Sequence, residues 1–409
     1  MATSTWPKTI TLSGFPSLPI HTLSYHVPPL SPRPAITGWA GECSYHNAAY
    51  FTKRAAAVIH INAQILHPMA LIAAAALTPW PLSTLLAIVV TPRAAAGAPP
   101  PAKRFAVGPV MSSPWEHFVL IVSAAWKVLF AAGVYYAMPF DAAAAAALDP
   151  RWIASVAARD VLITWATGCL WDFLHLSPYS PLFSTLQPVK FKPEPPRAGQ
   201  ISHDAFWATA SALVSTAWEV AIAHAYATRR LVPGAVPQDA WWADSQTLLL
   251  LLSLPYVQIV HFFVTHRAMH RWCARRRRGP GAWLPDVGAA LYKHVHSLHH
   301  ASRDPTAFSG ISMHPVESAL FFTTMPLYAL VGAHPIVVLH AKLYNIVVAM
   351  IGHESFGAPS TGGHEHWIHH QLVDCNYGGN FVPLDYLFGS FARDEDDFVA
   401  QRAAAEKDA

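Results

Sequence analysis

Long apolar runs separated by short polar segments fill most of the chain beyond residue 117. Residues 117–138 and 206–227 are each long enough to cross about 30 Å of hydrocarbon at about 1.5 Å per residue, although Lys127 and Glu219 interrupt them. Between these, Trp152 to Leu176 is apolar but holds Arg159, Asp160 and Asp172, which fits either a span packed against partners or a surface helix. Ser245 to Thr265 contains no Asp, Glu, Lys or Arg and runs directly into His266, so it is the clearest crossing. Val316 to Ile351 is a further apolar block, broken at Gly332-Ala333-His334-Pro335 where glycine and proline favour a turn. It predicts two helices of about sixteen residues forming a hairpin that returns to the same membrane face. The expected fold is all-α, an integral-membrane helical bundle with a helical cap outside the bilayer.

The first 60 residues differ: rich in Pro, Ser and Thr and without a sustained period, they predict disorder. Up to Trp115 the one acidic residue is Glu42, against seven Lys or Arg, a bias shared by organelle transit peptides and by plain cytosolic tails. The stretch Ile65 to Val90, broken by Pro68, Pro79 and Pro81, reads as a span or an interfacial segment, and a Pro- and Ala-rich linker follows to Pro109. No internal repeat appears.

Composition agrees with a bilayer protein, since 53% of residues are hydrophobic and only 12% charged. A net charge of +3 leaves no broad cationic surface, so nucleic acid is excluded as a partner. The four cysteines, Cys43, Cys169, Cys273 and Cys375, contain no Cys-x-x-Cys pair, which argues against a disulfide framework and a thiolate zinc site. Arg267, Arg271 and the run Arg275 to Arg278 follow the clearest span and mark its cytoplasmic side.

Histidine changes the picture. Of 24 in the chain, 15 lie between His261 and His370. Eight of these form three boxes: His266-x-x-x-His270, His296-x-x-His299-His300 and His366-x-x-His369-His370. Residues three and four apart share a helix face, so each box aims two or three imidazoles at one point. Imidazole serves zinc, copper, nickel and iron alike, but eight exceed the four positions of one tetrahedral zinc, which implies two metals or a larger cage. No His-Glu-x-x-His helix occurs, which disfavours a zinc protease. A histidine-rich metal transporter is the other class to weigh; transporters place their ligands within the spans, whereas these boxes fall outside the apolar runs.

The boxes, their order and the apolar hairpin between the second and third resemble the fatty acid hydroxylase and sterol desaturase superfamily of membrane di-iron enzymes, over roughly residues 200–395. The three-residue gap in the first box is like that of sterol C5-desaturases and C4-methyl oxidases, whereas fatty acid 2-hydroxylases carry four. Met313-His314-Pro315-Val316-Glu317 is similar to the segment opening the hairpin in sterol members, and Gly352-His353-Glu354-Ser355-Phe356 to the segment closing it. Asn376-Tyr377-Gly378 and Leu384-Asp385-Tyr386-Leu387-Phe388-Gly389 are like the family tail, with Leu384 where the family usually has Trp.

The resemblance implies metal ligands at His266, His270, His296, His299, His300, His353, His366, His369 and His370. His314 would be a ligand, a partner of ligands or a helix cap, and Glu365, Asp374 and Asp385 would be hydrogen-bonding partners. It further implies two iron ions (Fe2+/Fe3+), an O2-dependent lipid hydroxylase or desaturase favouring a sterol over fatty acyl or sphingolipid substrates, and a multi-pass protein of the endoplasmic reticulum with its site facing the cytosol. Electrons would come from cytochrome b5 and an NAD(P)H-dependent reductase; the arginine run would anchor to lipid heads or dock the cytochrome. The expected domains are a mostly disordered region 1–110, membrane helices 111–235, a histidine-box di-iron oxygenase domain 236–395 and a tail 396–409.

Overall fold

Short polar side chains start the helices. The first described helix is α1 (Pro114–Ala137). Asp141 caps α2 (Ala142–Ala147) and Asp149 caps α3 (Pro150–Leu176), whose first position is proline, a residue with no N–H to leave unsatisfied. After Gly199 comes α4 (Gln200–Ala227). Asp244 caps α5 (Ser245–Ala268) and Asp286 caps α6 (Val287–His294). The chain continues through 3-10 turns at His296–Ala301 and Ala307–Ile311 to α7 (Pro315–Phe321), α8 (Thr324–Leu330) and α9 (Pro335–Gly352). It ends with α10 (Gly363–Leu372), α11 (Leu384–Phe388) and α12 (Glu395–Lys407).

This computed structural model describes residues 114–177, 179, 196–232, 240–272, 286–353, 363–379 and 381–407. The region 1–110 with its apolar stretch, the arginine run Arg275 to Arg278 and Glu354 to Phe356 lie outside the described residues.

Among the described residues there is no strand, and five helices (α1 from Leu120, α3, α4, α5 and α9) are long and apolar enough to cross a membrane. The protein is an all-α membrane helical bundle. Its centre is α9, where every residue from Ile336 to Val347 is buried against α1, α3, α4, α5 and α8. The peripheral helices keep one apolar face outward, as Leu249, Leu252, Val257, Val260 and Val264 do on α5, and a face of this kind is stable only against hydrocarbon or a partner.

The hairpin departs from the expected pair of long helices. Its second limb, α9, is continuous, and Gly332 (φ +72°) makes the predicted turn. The first limb breaks into α7 and α8. Pro326 has no N–H to offer the carbonyl of Phe322, and at the break the Thr323 hydroxyl donates to the Leu320 carbonyl at 2.6 Å and meets His261 Nε2 at 2.7 Å.

The charged residues of α3 belong to a packed span. Lys342 of α9 places its Nζ 2.7 Å from Asp160 Oδ2 and against Glu219 of α4, while Arg159 reaches Asp160 at 2.9 Å and Glu219 at 2.5 Å. Thr216 adds a hydroxyl to Asp160 at 2.7 Å. Two cations and two anions thus neutralise one another where unpaired charge would be costly. The network ties three spans together.

Candidate metal centre

Four stretches of chain deliver histidines to the ends of α5 and α9. His266 sits in the last turn of α5 and His270 just beyond it; His353 caps the C-terminus of α9; His366, His369 and His370 lie along α10. The second box forms a 3-10 turn, where side chains three apart eclipse, so the His296 and His299 rings stack at 5.3 Å. All nine are buried.

They sort into two clusters. His266, His270, His296, His300 and His369 form one; His299, His353, His366 and His370 form the other, with candidate ligand atoms in each cluster within 4.8 Å of one another. Nitrogens about 2.1 Å from a shared ion would lie roughly 3.0 Å apart as neighbours and 4.2 Å apart when opposite. The Nε2 atoms of His266 and His296 are 3.0 Å apart, those of His296 and His300 3.1 Å, those of His300 and His369 3.0 Å, and those of His299 and His353 3.2 Å.

The hydrogen bonds on the far side of the rings decide what these close approaches are. Nδ1 of His266 donates to the Tyr377 carbonyl at 2.7 Å, Nδ1 of His369 to the Cys375 carbonyl at 2.6 Å, and Nδ1 of His353 to the Ala349 carbonyl at 2.7 Å. A carbonyl can only accept, so each Nδ1 carries the proton and each Nε2 presents a lone pair. His299 Nδ1 likewise faces the Ser312 carbonyl at 3.3 Å, so in the His299–His353 pair two lone pairs face one another at 3.2 Å with no proton between them. Only a cation turns that arrangement from repulsive to attractive. The five-histidine cluster, where His266 and His369 also present bare Nε2 atoms, has the spacing of ligands around a shared ion, so these residues fit a metal in each cluster. Among the described residues, neither ring nitrogen of His370 has a hydrogen-bond partner, nor has Nδ1 of His270 or His300. Burial also keeps the imidazoles unprotonated: it holds His299 to about 4 and His353 to about 3, and drives His270, His296, His300, His366, His369 and His370 well below their ordinary value.

His314 stays apart from both clusters. It is the N-cap of α7, with Nδ1 accepting the Val316 N–H at 3.2 Å. Glu365 and Asp374 do not join the clusters either; Glu365 is buried in a small cleft with Asn376, Gly378 and Asp385, and Asp374 lies half-buried in the turn after α10. Asp385 works at one remove. Its carboxylate accepts the N–H groups of Tyr377 at 2.8 Å and Gly378 at 2.6 Å and the Ser390 hydroxyl at 2.6 Å, which fixes the peptide whose carbonyl orients His266. Sequence reasoning missed Glu317, fully buried on α7, whose Oε1 is 2.7 Å from His296 Nδ1. Burial pushes its carboxyl well above the ordinary value; a cation on the opposite side of the His296 ring would hold it ionised. The signal was its place in the His-Pro-Val-Glu segment.

The fatty acid hydroxylase family model matches residues 251–390, which contain all nine histidines. Residues 251–390 are thus a domain similar to fatty acid hydroxylases. Its relatives include lathosterol oxidase of Rattus norvegicus, 35% identical over 109 residues, or 25% of this chain and 36% of that protein. Very-long-chain aldehyde decarbonylase GL1-11 of Oryza sativa subsp. indica is 29% identical over 161 residues, 36% of this chain and 52% of the relative. A methylsterol monooxygenase-like protein of Dictyostelium discoideum is 26% identical over 149 residues, 33% and 47% of the two chains. The chain thus spans about a third to a half of the length of these curated relatives. No solved structure matches it. The hydroxylase domain leaves α1, α3 and α4 outside its match.

Proposed function

We propose that the hydroxylase domain makes this chain a membrane-bound non-haem di-iron oxidoreductase that hydroxylates or desaturates a lipid, with a sterol as the favoured substrate class. The observation that carries this reading is the convergence of nine buried imidazoles in two clusters at the spacing of ligands around an ion, with the Nε2 lone pairs of His299 and His353 facing one another. His266, His270, His296, His300 and His369 would hold one iron, and His299, His353, His366 and His370 the other. Iron supplies what d10 zinc cannot, the reduction of O2 to an oxidant strong enough for an unactivated C–H bond.

The chain's own residues set the conditions for that chemistry. Glu317 and the carbonyls of Tyr377, Cys375 and Ala349 hold the imidazoles in the tautomers that leave Nε2 bare. Burial of all nine rings excludes bulk water, which protects a reactive oxidant from side reactions. Phe262 stacks on the His266 ring at 4.7 Å, which places an apolar surface directly beside the cluster for a lipid to meet. Hydroxylation inserts one oxygen atom of O2 and releases the other as water, with two electrons and two protons from outside; desaturation removes two hydrogens from adjacent carbons and, with the same two electrons and two protons, releases both oxygen atoms as water. Which one occurs depends on placement of the substrate. Cytochrome b5 and an NAD(P)H-dependent reductase would supply the electrons, at the cytosolic face of the endoplasmic reticulum.

Sterol-type relatives favour the sterol. The longer match to the aldehyde decarbonylases, 161 residues against 109, favours a long acyl chain as the second reading. The test is expression in a host lacking its own sterol C5-desaturase, followed by lipid profiling, with metal analysis of the detergent-purified protein. About two irons per chain and a new O2-dependent sterol product are expected; an altered acyl or aldehyde profile would select the second reading. Metal-free protein with unchanged lipids, or metal flux into vesicles without turnover, would overturn the oxidoreductase. His299→Ala should abolish turnover while leaving membrane insertion intact.

A further inference from the structure

Asp204 stands on α4, outside the hydroxylase domain and away from every histidine box, yet it is completely buried. Its Oδ1 accepts the Ser302 hydroxyl at 2.7 Å and the Ser312 hydroxyl at 3.1 Å, and its Oδ2 accepts the Ser309 hydroxyl at 2.7 Å. His203 Nδ1 lies 3.1 Å from Oδ1 at the half-exposed edge. The three serines all belong to the segment that leaves the second box. At its far end Ser312 turns back and offers its carbonyl to His299 Nδ1 at 3.3 Å, and His299 belongs to the four-histidine cluster.

A buried carboxylate is costly unless its lone pairs are satisfied, and here three hydroxyls satisfy them. Neutral acceptors could tether a loop as well. What a carboxylate adds is acceptor capacity, because its two oxygens take all three serine hydroxyls whereas an amide offers one oxygen. Two other side chains from the membrane helices hold the same segment: Asp172 of α3 accepts the Ala307 N–H at 2.9 Å and Gln200 of α4 donates to the Asp304 carbonyl at 2.8 Å. Neither hydrogen bond is made to a residue that itself bonds a box histidine. Asp204 alone of the three does this, through Ser312.

We propose that Asp204 is a positioning residue for the four-histidine metal site, setting the orientation of His299 through Ser312, so that a membrane helix outside the hydroxylase domain selectively controls one of its two metals. This rests on the metal reading given above. Outer-shell partners of metal-binding histidines typically change metal affinity by about 10- to 100-fold, and that loss is expected at one site only.

The experiment titrates full-length, detergent-purified, metal-stripped protein with iron(II) under anaerobic conditions and follows bound iron per chain alongside thermal unfolding of the metal-free form. Wild type should take up two irons. If it takes up none, the metal reading itself fails. Asp204→Asn should retain one tight iron and bind the second about 10- to 100-fold more weakly, with unfolding of the metal-free protein still cooperative. Ser312→Ala, a milder change, should weaken the same single site several-fold and keeps the test available if Asp204→Asn does not fold. Two irons bound with wild-type affinity in both variants would overturn the inference, as would equal weakening of both sites together with loss of cooperative unfolding, since that is what a general structural role produces.

Discussion

His314 and His334 both precede prolines, and both accept an N–H from two residues further on, Val316 and Ile336, at 3.2 Å. In sequence such a histidine is indistinguishable from a ligand; the fold makes each a helix cap. His314→Ala should therefore cost about 1 kcal/mol of stability, the usual worth of an N-cap, and leave metal content unchanged. Loss of metal from that variant would make His314 a ligand. Glu317 carries the opposite expectation. Glu317→Gln keeps the shape but removes the charge that faces His296 Nδ1, and metal affinity of the five-histidine cluster should fall about 10- to 100-fold by titration. Unchanged affinity would reduce Glu317 to packing. The three boxes were legible because their spacing alone aims the rings together. Glu317 and Asp385 were harder, since their value depends on partners 21 residues away, at His296, or on a peptide that in turn orients His266. Spacing along the chain does not encode such relays.

At the scale of elements, helices were readable wherever composition acted alone. The run from Ser245, free of formal charge, became α5, and the glycine-proline break at residues 332–335 became a turn. The interrupted limb was not readable, because one proline and one threonine hydroxyl divide it. The charged positions of α3 left two readings open until their partners were known, and Lys342, the residue that decides between them, sits unannounced in an apolar block. Lys342→Met tests the network. It leaves Asp160 and Glu219 to share the single cation Arg159, and removing one partner from a buried ionic network typically costs about 3–5 kcal/mol. A fall of that size in unfolding free energy is expected, with partial recovery when Asp160→Asn is added. A neutral result would show that water reaches the network.

For the whole molecule, the clusters tie stability to pH. In the metal-free protein, burial holds His299 to about 4, His353 to about 3 and their neighbours outside α5 well below the ordinary value, whereas in the unfolded chain each takes up a proton near pH 6.5. Between those limits the unfolded state binds more protons. Stability should therefore be fullest above about pH 6.5 and fall as pH is lowered toward 4, by roughly 1.4 kcal/mol per pH unit for each histidine in this range. Thermal unfolding of the metal-free protein across pH 5 to 8 checks the sign, and a flat profile would mean the clusters are wet when empty. Bound metal should steepen the dependence, because protons compete for the same nitrogens. The grouping of donors from α5, the second box, α9 and α10 has a consequence for how the protein is made. During synthesis no cluster is complete until α10 has emerged, so loading with metal must be a late event, and a chain stalled earlier would enter the bilayer as an empty scaffold.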